Sequence, residues 1–198
     1  MAKNILRLDA SMRKTGSHSR NLSDRLIKQL IGEQHTSEQN NITIRDLAEG
    51  MPLIDENWIK ANFTDVAERT EEQNKCLETS DILVDELNSA DQIVIGLPIY
   101  NFGVPAAFKA WIDQIVRSKL TFRYGDNGPV GLVNNKKVYI IIVSGGTKLG
   151  TEIDFITNYL RHILGFIGIS DVSFIDSSGL GRNESDTLAH AHKLIELV

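Results

Sequence analysis

Three short stretches hold the side chains with chemical potential. Residues 11–19 gather Ser11, Thr15, Ser17 and Ser19 around Gly16, with Arg13, Lys14 and His18 among them and Arg20 next. Hydroxyls beside the free N–H groups of a helix start, aligned with its dipole, make an anion site. Each hydrogen bond to a charged partner contributes ~1.5–3 kcal/mol, so three or four suffice for a phosphomonoester without a metal. Taken alone, the loop reads equally well as a polar turn with an N-cap serine. Residues 98–105 form a second stretch, in which Ile99, Tyr100, Asn101 and Phe102 lie between Pro98 and Pro105. Its rings offer flat apolar faces, and Asn101 and the backbone offer donors and acceptors, which suits a planar heteroaromatic ligand. The third stretch, Val143, Ser144, Gly145 and Gly146, bares backbone at paired glycines, or is simply a tight turn.

Other chemistries lack their residues. No G-x-G-x-x-G follows the first strand, and Gly150 is followed by Thr151 and Glu152 where a Walker loop needs Lys and Ser or Thr. There is no G-x-S-x-G elbow. His35, His162, His190 and His192 show no metal-ligand spacing, so no metal is expected. His18 differs because it lies within the candidate anion loop. The chain has 21 basic and 26 acidic residues, a formal charge of -5, with no basic footprint for nucleic acid or anionic membrane. Cys76 is alone, which suits a reducing cytoplasm. The N-terminus lacks the apolar core of a signal peptide. The longest uncharged run, residues 93–108, contains two prolines and is shorter than the ~20 residues of a membrane span.

The elements that must position these stretches follow from periodicity. Strands are expected at residues 5–10, 42–47, 93–97, 138–143 and 172–175. Helices are expected after residue 19, from Thr70 with Gln73 completing a capping box, after Pro105, at 152–164 and at 184–198. Strictly alternating strands and helices specify a parallel doubly wound α/β sheet, and five strands favour the flavodoxin-like order 2-1-3-4-5. Residues 1–198 are read as one domain. It carries an elaborated connection at 48–69 and a protruding hairpin-like loop at 118–133. The connection holds Trp58 and Phe63, which either pack on their own domain or cover the site of a second subunit.

In such a sheet the loops after strands one, three and four emerge together at the switch point where ligands bind. Phosphate donors, a planar slot and bared backbone then make one composite site, and FMN fits it.

The residues also carry a resemblance. Leu8, Asp9, Ala10 and Ser11 with Ser17, His18 and Ser19; Pro98, Ile99, Tyr100, Asn101 and Phe102 with Lys109, Ala110, Trp111, Ile112 and Asp113; Thr121, Phe122, Arg123 and Tyr124; and Leu164, Gly165, Phe166, Ile167, Gly168 and Ile169 are matching signatures. On these the chain resembles the FMN-dependent NADH:azoreductase and NAD(P)H:quinone oxidoreductase family over essentially its whole length. The resemblance implies a homodimer with one FMN per subunit and active sites at the subunit interface. NADH or NADPH would be the donor and a quinone or azo compound the acceptor, in a ping-pong sequence. It places the phosphate on Ser11, Ser17, His18 and Ser19, and the ring and ribityl chain on Ile99, Tyr100, Asn101, Phe102, Val143, Ser144, Gly145 and Gly146. Tyr124 and Phe166 would line the substrate pocket. Ile99 stands where many relatives carry Met, and Ser144 where many carry a basic residue. The alternative reading is a flavodoxin-type electron carrier without its own substrate pocket.

Overall fold

Five parallel strands form the central sheet: β1 (Asn4–Asp9), β2 (Asn41–Asp46), β3 (Gln92–Pro98), β6 (Lys137–Ser144) and β7 (Asp171–Ser178), in the order β2-β1-β3-β6-β7. Among these five strands that is the expected 2-1-3-4-5. The computed structural model describes residues 3–32 and 41–198; Met1, Ala2 and residues 33–40, including His35, lie outside the described residues. A separate antiparallel hairpin joins β4 (Phe122–Gly125) to β5 (Gly128–Gly131), as the turn residues between them suggest.

The near-continuous apolar runs of β3 and β6 reflect cover on both faces. Ile93, Ile95 and Leu97 with Val138, Ile140 and Ile142 face one core, together with α3 (Glu71–Ser89), α4 (Ala106–Ile115) and α5 (Thr157–Phe166). Val94 with Tyr139, Ile141 and Val143 face the other, under α1 (His18–Ile31) and α6 (Glu184–Glu196). Successive strand residues point to opposite faces, so each strand serves both cores.

Two boundaries differ from the sequence reading. The helix expected from residue 152 begins at Thr157, because the Asp154 carboxylate accepts from the N–H groups of Ile156 and Thr157 and gathers the preceding turn. Residues 48–69 contain a helix, α2 (Glu56–Phe63), which the weak periodicity did not show. Its Asp55 caps the Trp58 N–H at 2.8 Å. Trp58 is buried with Ala61 and Leu77, and its indole N–H donates to Gln114 Oε1 at 2.9 Å. The Arg117 guanidinium stands 5.5 Å from the indole centroid and hydrogen-bonds Asn62, Ser80 and Asp81. Trp58 therefore packs on its own domain and is not available to cover a partner's site.

Candidate functional site

The carboxyl ends of β1, β3, β6 and β7 enclose a cleft of ≈ 360 Å³. Of the residues expected there, Ser11, Ser17, His18, Ser19, Ile99, Tyr100, Val143, Ser144 and Gly145 line it. Arg13, Pro98, Leu180, Gly181 and Glu184 complete the lining. Leu180 and Gly181 belong to the loop after β7 and Glu184 opens α6, a stretch that carried no motif of its own. Their only signal was topological: every loop at the carboxyl edge of such a sheet is a candidate lining.

What suits the cleft to an anion is the start of α1. Ser17 is its N-cap but makes no side-chain capping bond, and the first turn holds no acidic residue. The first-turn N–H groups of a helix have no intrahelical acceptor, so this end remains positive and ready for an anion. Ser17 and Ser19 are buried, and their hydroxyls hydrogen-bond each other at 3.2 Å. Each hydroxyl keeps further donor or acceptor capacity. Ser11 Oγ accepts from the Arg13 N–H at 3.2 Å. His18 Nε2 lies 3.7 Å from Glu184 Oε1 at the mouth of the cleft.

Close approach of helix and sheet holds this end in place. A Cβ at Gly96 would lie 2.8 Å from Ser23 Oγ and 3.2 Å from the Ser19 carbonyl, so glycine lets α1 settle on β3. Ser23 Oγ in turn donates to the Ser19 carbonyl at 2.9 Å.

Arg20 is tied into the protein rather than left to solvent. Its guanidinium donates to both Asp46 oxygens at 2.8 and 2.6 Å and to Asp9 Oδ2 at 3.3 Å. It also reaches the loop carbonyls of Ser11 at 2.8 Å and Arg13 at 3.1 Å. Arg20 thus braces the anion loop from behind. Its hydrogen bond, followed by one from the Ala48 N–H, holds the Asp46 carboxyl below the ordinary carboxylate range against the opposing effect of burial. Arg7 extends the network to Asp9, Asp24 and the Arg20 carbonyl.

The turn after β3 is strained. Tyr100 and Gly103 exchange backbone hydrogen bonds at 3.0 Å, while Asn101 and Phe102 take φ of 49° and 64°. Positive φ is uncommon for Asn and a real outlier for a bulky residue, and such strain clusters at ligand sites. Neither Asn101 nor Phe102 lines the cleft, and Phe102 is 52% exposed. The Tyr100 hydroxyl accepts from the Met12 N–H at 3.3 Å and so ties this turn to the anion loop.

Two residues expected to bind the cofactor have donors occupied internally. The Ile99 N–H donates to the Val143 carbonyl at 2.8 Å, which extends the β3–β6 pairing. The Ser144 hydroxyl donates to the Thr147 carbonyl, closing its own turn. Gly145 lines the cleft, whereas Gly146 faces a neighbouring one. Tyr124 and Phe166 do not line the cleft. They flank Phe122, at 5.5 and 4.6 Å between centroids, and Tyr124 is 74% exposed.

These features fit FMN: an uncapped helix end with buried hydroxyls for one phosphate, a slot between two loops for a planar ring, and a volume within the ~300–1,000 Å³ usual for ligand pockets.

Comparison with known proteins agrees. A family model described as flavodoxin-like fold matches residues 3–197. An FMN-dependent NADH:quinone oxidoreductase of Colwellia psychrerythraea is 81% identical over 195 residues, covering 98% of this chain and all of the relative. One of a Jannaschia species is 52% identical over 176 residues, covering 89% of this chain and 88% of the relative. The structure of an FMN-dependent NADH-azoreductase of Bacillus anthracis in complex with FMN superposes with a TM-score of 0.83 at 25% identity, covering 98% of this chain and 96% of that one. The chain belongs to the family of flavodoxin-like fold that includes these FMN-dependent NADH:quinone oxidoreductases.

Proposed function

We propose that the protein is an FMN-dependent oxidoreductase that passes electrons from NADH to quinones and aromatic azo compounds. The observation that carries this reading is the meeting of the uncapped α1 end and its buried serines with the two ring-sized loops in one cleft. The 81% identity to a quinone oxidoreductase supports the same activity.

Bound FMN supplies the two-electron chemistry that no side chain here offers. Ser11, Ser17, His18 and Ser19 hold its phosphate, with the backbone of the first turn of α1. Residues 99–102 and 143–146 flank the ring and ribityl chain. Because the Ile99 N–H and the Ser144 hydroxyl are engaged within the protein, their contacts are through the Ile99 side chain and the backbone around Ser144. NADH gives up two electrons and a proton, NAD+ leaves, and the quinone then takes two electrons and two protons to become a hydroquinone, the extra proton coming from water. An azo compound takes four electrons and four protons over two such cycles, the first reducing the N=N bond to a hydrazine and the second cleaving it to two amines. Donor and acceptor share one slot, so the kinetics are ping-pong.

The active unit is a cytoplasmic homodimer of single-domain subunits. Leu53, Phe63 and Val66 in the 48–69 connection, with Phe102 and Tyr124, are large exposed apolar groups that a partner subunit would cover. Tyr124, off the cleft of its own chain, suits the substrate pocket of the partner, with Phe166 supporting it through Phe122. Among the described residues no helix is long and apolar enough to cross a membrane.

The test is steady-state oxidation of NADH with FMN present, varying a quinone and then an azo dye. Parallel double-reciprocal lines are expected. Intersecting lines would remove the shared slot, and a flavin-bearing protein inert toward NADH would be an electron carrier instead.

A further inference from the structure

Gly181 and Gly145 bring the loops after β7 and β6 into main-chain contact. The Gly181 N–H donates to the Gly145 carbonyl at 2.9 Å, and a Cβ at Gly181 would lie 2.8 Å from that oxygen. The result is a low ridge without side chains. On one side lies the cleft described above. On the other, beginning at Gly146 and Arg182, lies a second cleft of ≈ 460 Å³.

Its walls carry Lys148 and Arg182, both exposed. Neither side chain makes an ion pair or hydrogen bond among the described residues. Glu152 stands in the same cleft, so its formal charge is +1, and Ile153 adds an apolar surface that is 42% exposed. Seven other cations, Arg7, Arg20, Arg25, Arg45, Arg117, Lys119 and Lys137, meet acidic partners. Two unmatched cations facing one hollow beside an apolar wall point to an anion with a flat apolar portion.

We propose that this second cleft binds the pyrophosphate-bearing end of the NADH donor, with Lys148 and Arg182 as its cationic contacts. The proposal rests on the oxidoreductase reading. The nicotinamide reaches the flavin slot across the Gly145 and Gly146 backbone, where no side chain obstructs the ribose that links it to the pyrophosphate. Ile153 lies under the adenosine. The quinone, which has no such tail, uses the slot alone, so the second cleft contributes to the donor half of the cycle only.

The FMN-loaded protein provides the test. NADH is compared with N-benzyl-dihydronicotinamide, which delivers the same reducing equivalent without a pyrophosphate, and ADP-ribose binding is measured by calorimetry. Lys148→Ala and Arg182→Ala are each expected to lower kcat/KM for NADH by about three- to tenfold, the range for exposed charge-assisted contacts. The value for the benzyl donor should move by less than about twofold, because that donor has no charge for these cations to meet. ADP-ribose should bind the wild type, bind either variant more weakly in parallel, and show a smaller difference at high salt. Equal losses with both donors, no loss with NADH, or ADP-ribose binding indifferent to the substitutions would overturn the proposal. So would a loss confined to a sulfonated azo acceptor, which would make the cleft an acceptor site. A wild type that oxidises neither donor would sink the oxidoreductase reading instead, and ADP-ribose binding would then judge the second cleft by itself.

Discussion

Arg20 shows how one residue's role depends on what the fold brings beside it. Its guanidinium holds the Ser11 and Arg13 carbonyls while resting on Asp46 and Asp9. Removing it would leave carboxylates without their partner; breaking part-buried pairs of this kind costs about 2–4 kcal/mol, below the figure for full burial. Arg20→Ala should lower the unfolding midpoint and weaken FMN binding even though Arg20 does not line the cleft. Asp46 adds a pH dependence. Its folded pKa lies below its unfolded value, so its contribution is fully present above the ordinary carboxylate range and fades as pH falls through the lower folded value. Circular dichroism should therefore show stability falling below about pH 4, with a shallower fall in Asp46→Asn, which is already weaker at neutral pH. If Ser17 contacts the phosphate as proposed, Ser17→Ala should raise the FMN Kd about ten- to a hundredfold. The place of the serines at a helix start was legible from their spacing, but not their use, because a serine there serves an ordinary N-cap equally well. The bracing role of Arg20 was not legible either, because Asp46 joins it from a strand 26 residues away. The internal bonds of Ile99 and Ser144 were equally hidden, since only folded coordinates show which donors are already engaged.

At the scale of elements, the position of α1 against β3 and the turn at 100–103 decide the site. Gly96→Ala would push a methyl into Ser23 and the Ser19 carbonyl. Overpacking of this kind costs about 1–3 kcal/mol, and here the displacement falls on the helix end proposed to hold the phosphate. Thermal unfolding and a flavin titration should both register it, with weaker FMN binding as the larger effect. The turn makes the opposite prediction for stability. Phe102 holds a backbone conformation that glycine adopts freely, and relieving it should raise the unfolding free energy by up to about 1 kcal/mol. Phe102→Gly should nevertheless bind FMN more weakly, because the ring is lost; a variant that gained stability and bound FMN equally well would remove Phe102 from the site. Long periodic elements and the capping box of α3 were legible in the sequence. The start of α5 was not, because Asp154 caps a turn whose residues look helical. Nor was α2, whose eight residues are too few to set a period.

At the scale of the molecule, the strand order was legible because alternating elements and runs buried on both faces leave few other arrangements. The use of Trp58 was not, since an apolar residue in a long connection serves its own core or a partner equally well until its neighbours are known. The exposed residues of that connection now define the sharper expectation. Phe63 is 80% exposed and Leu53 78%. Sedimentation should give twice the 22.1 kDa chain mass, and Phe63→Glu should shift the protein toward the monomer with loss of quinone reduction. The central claim is that one cleft holds FMN and presents it to donor and acceptor in turn, and anaerobic spectroscopy of the FMN-loaded protein tests it most directly. NADH alone should bleach the flavin absorbance stoichiometrically, and a quinone added afterwards should restore it with no NADH remaining. A flavin that stays oxidised in NADH, or bleaches only when the quinone is already present, would contradict the account.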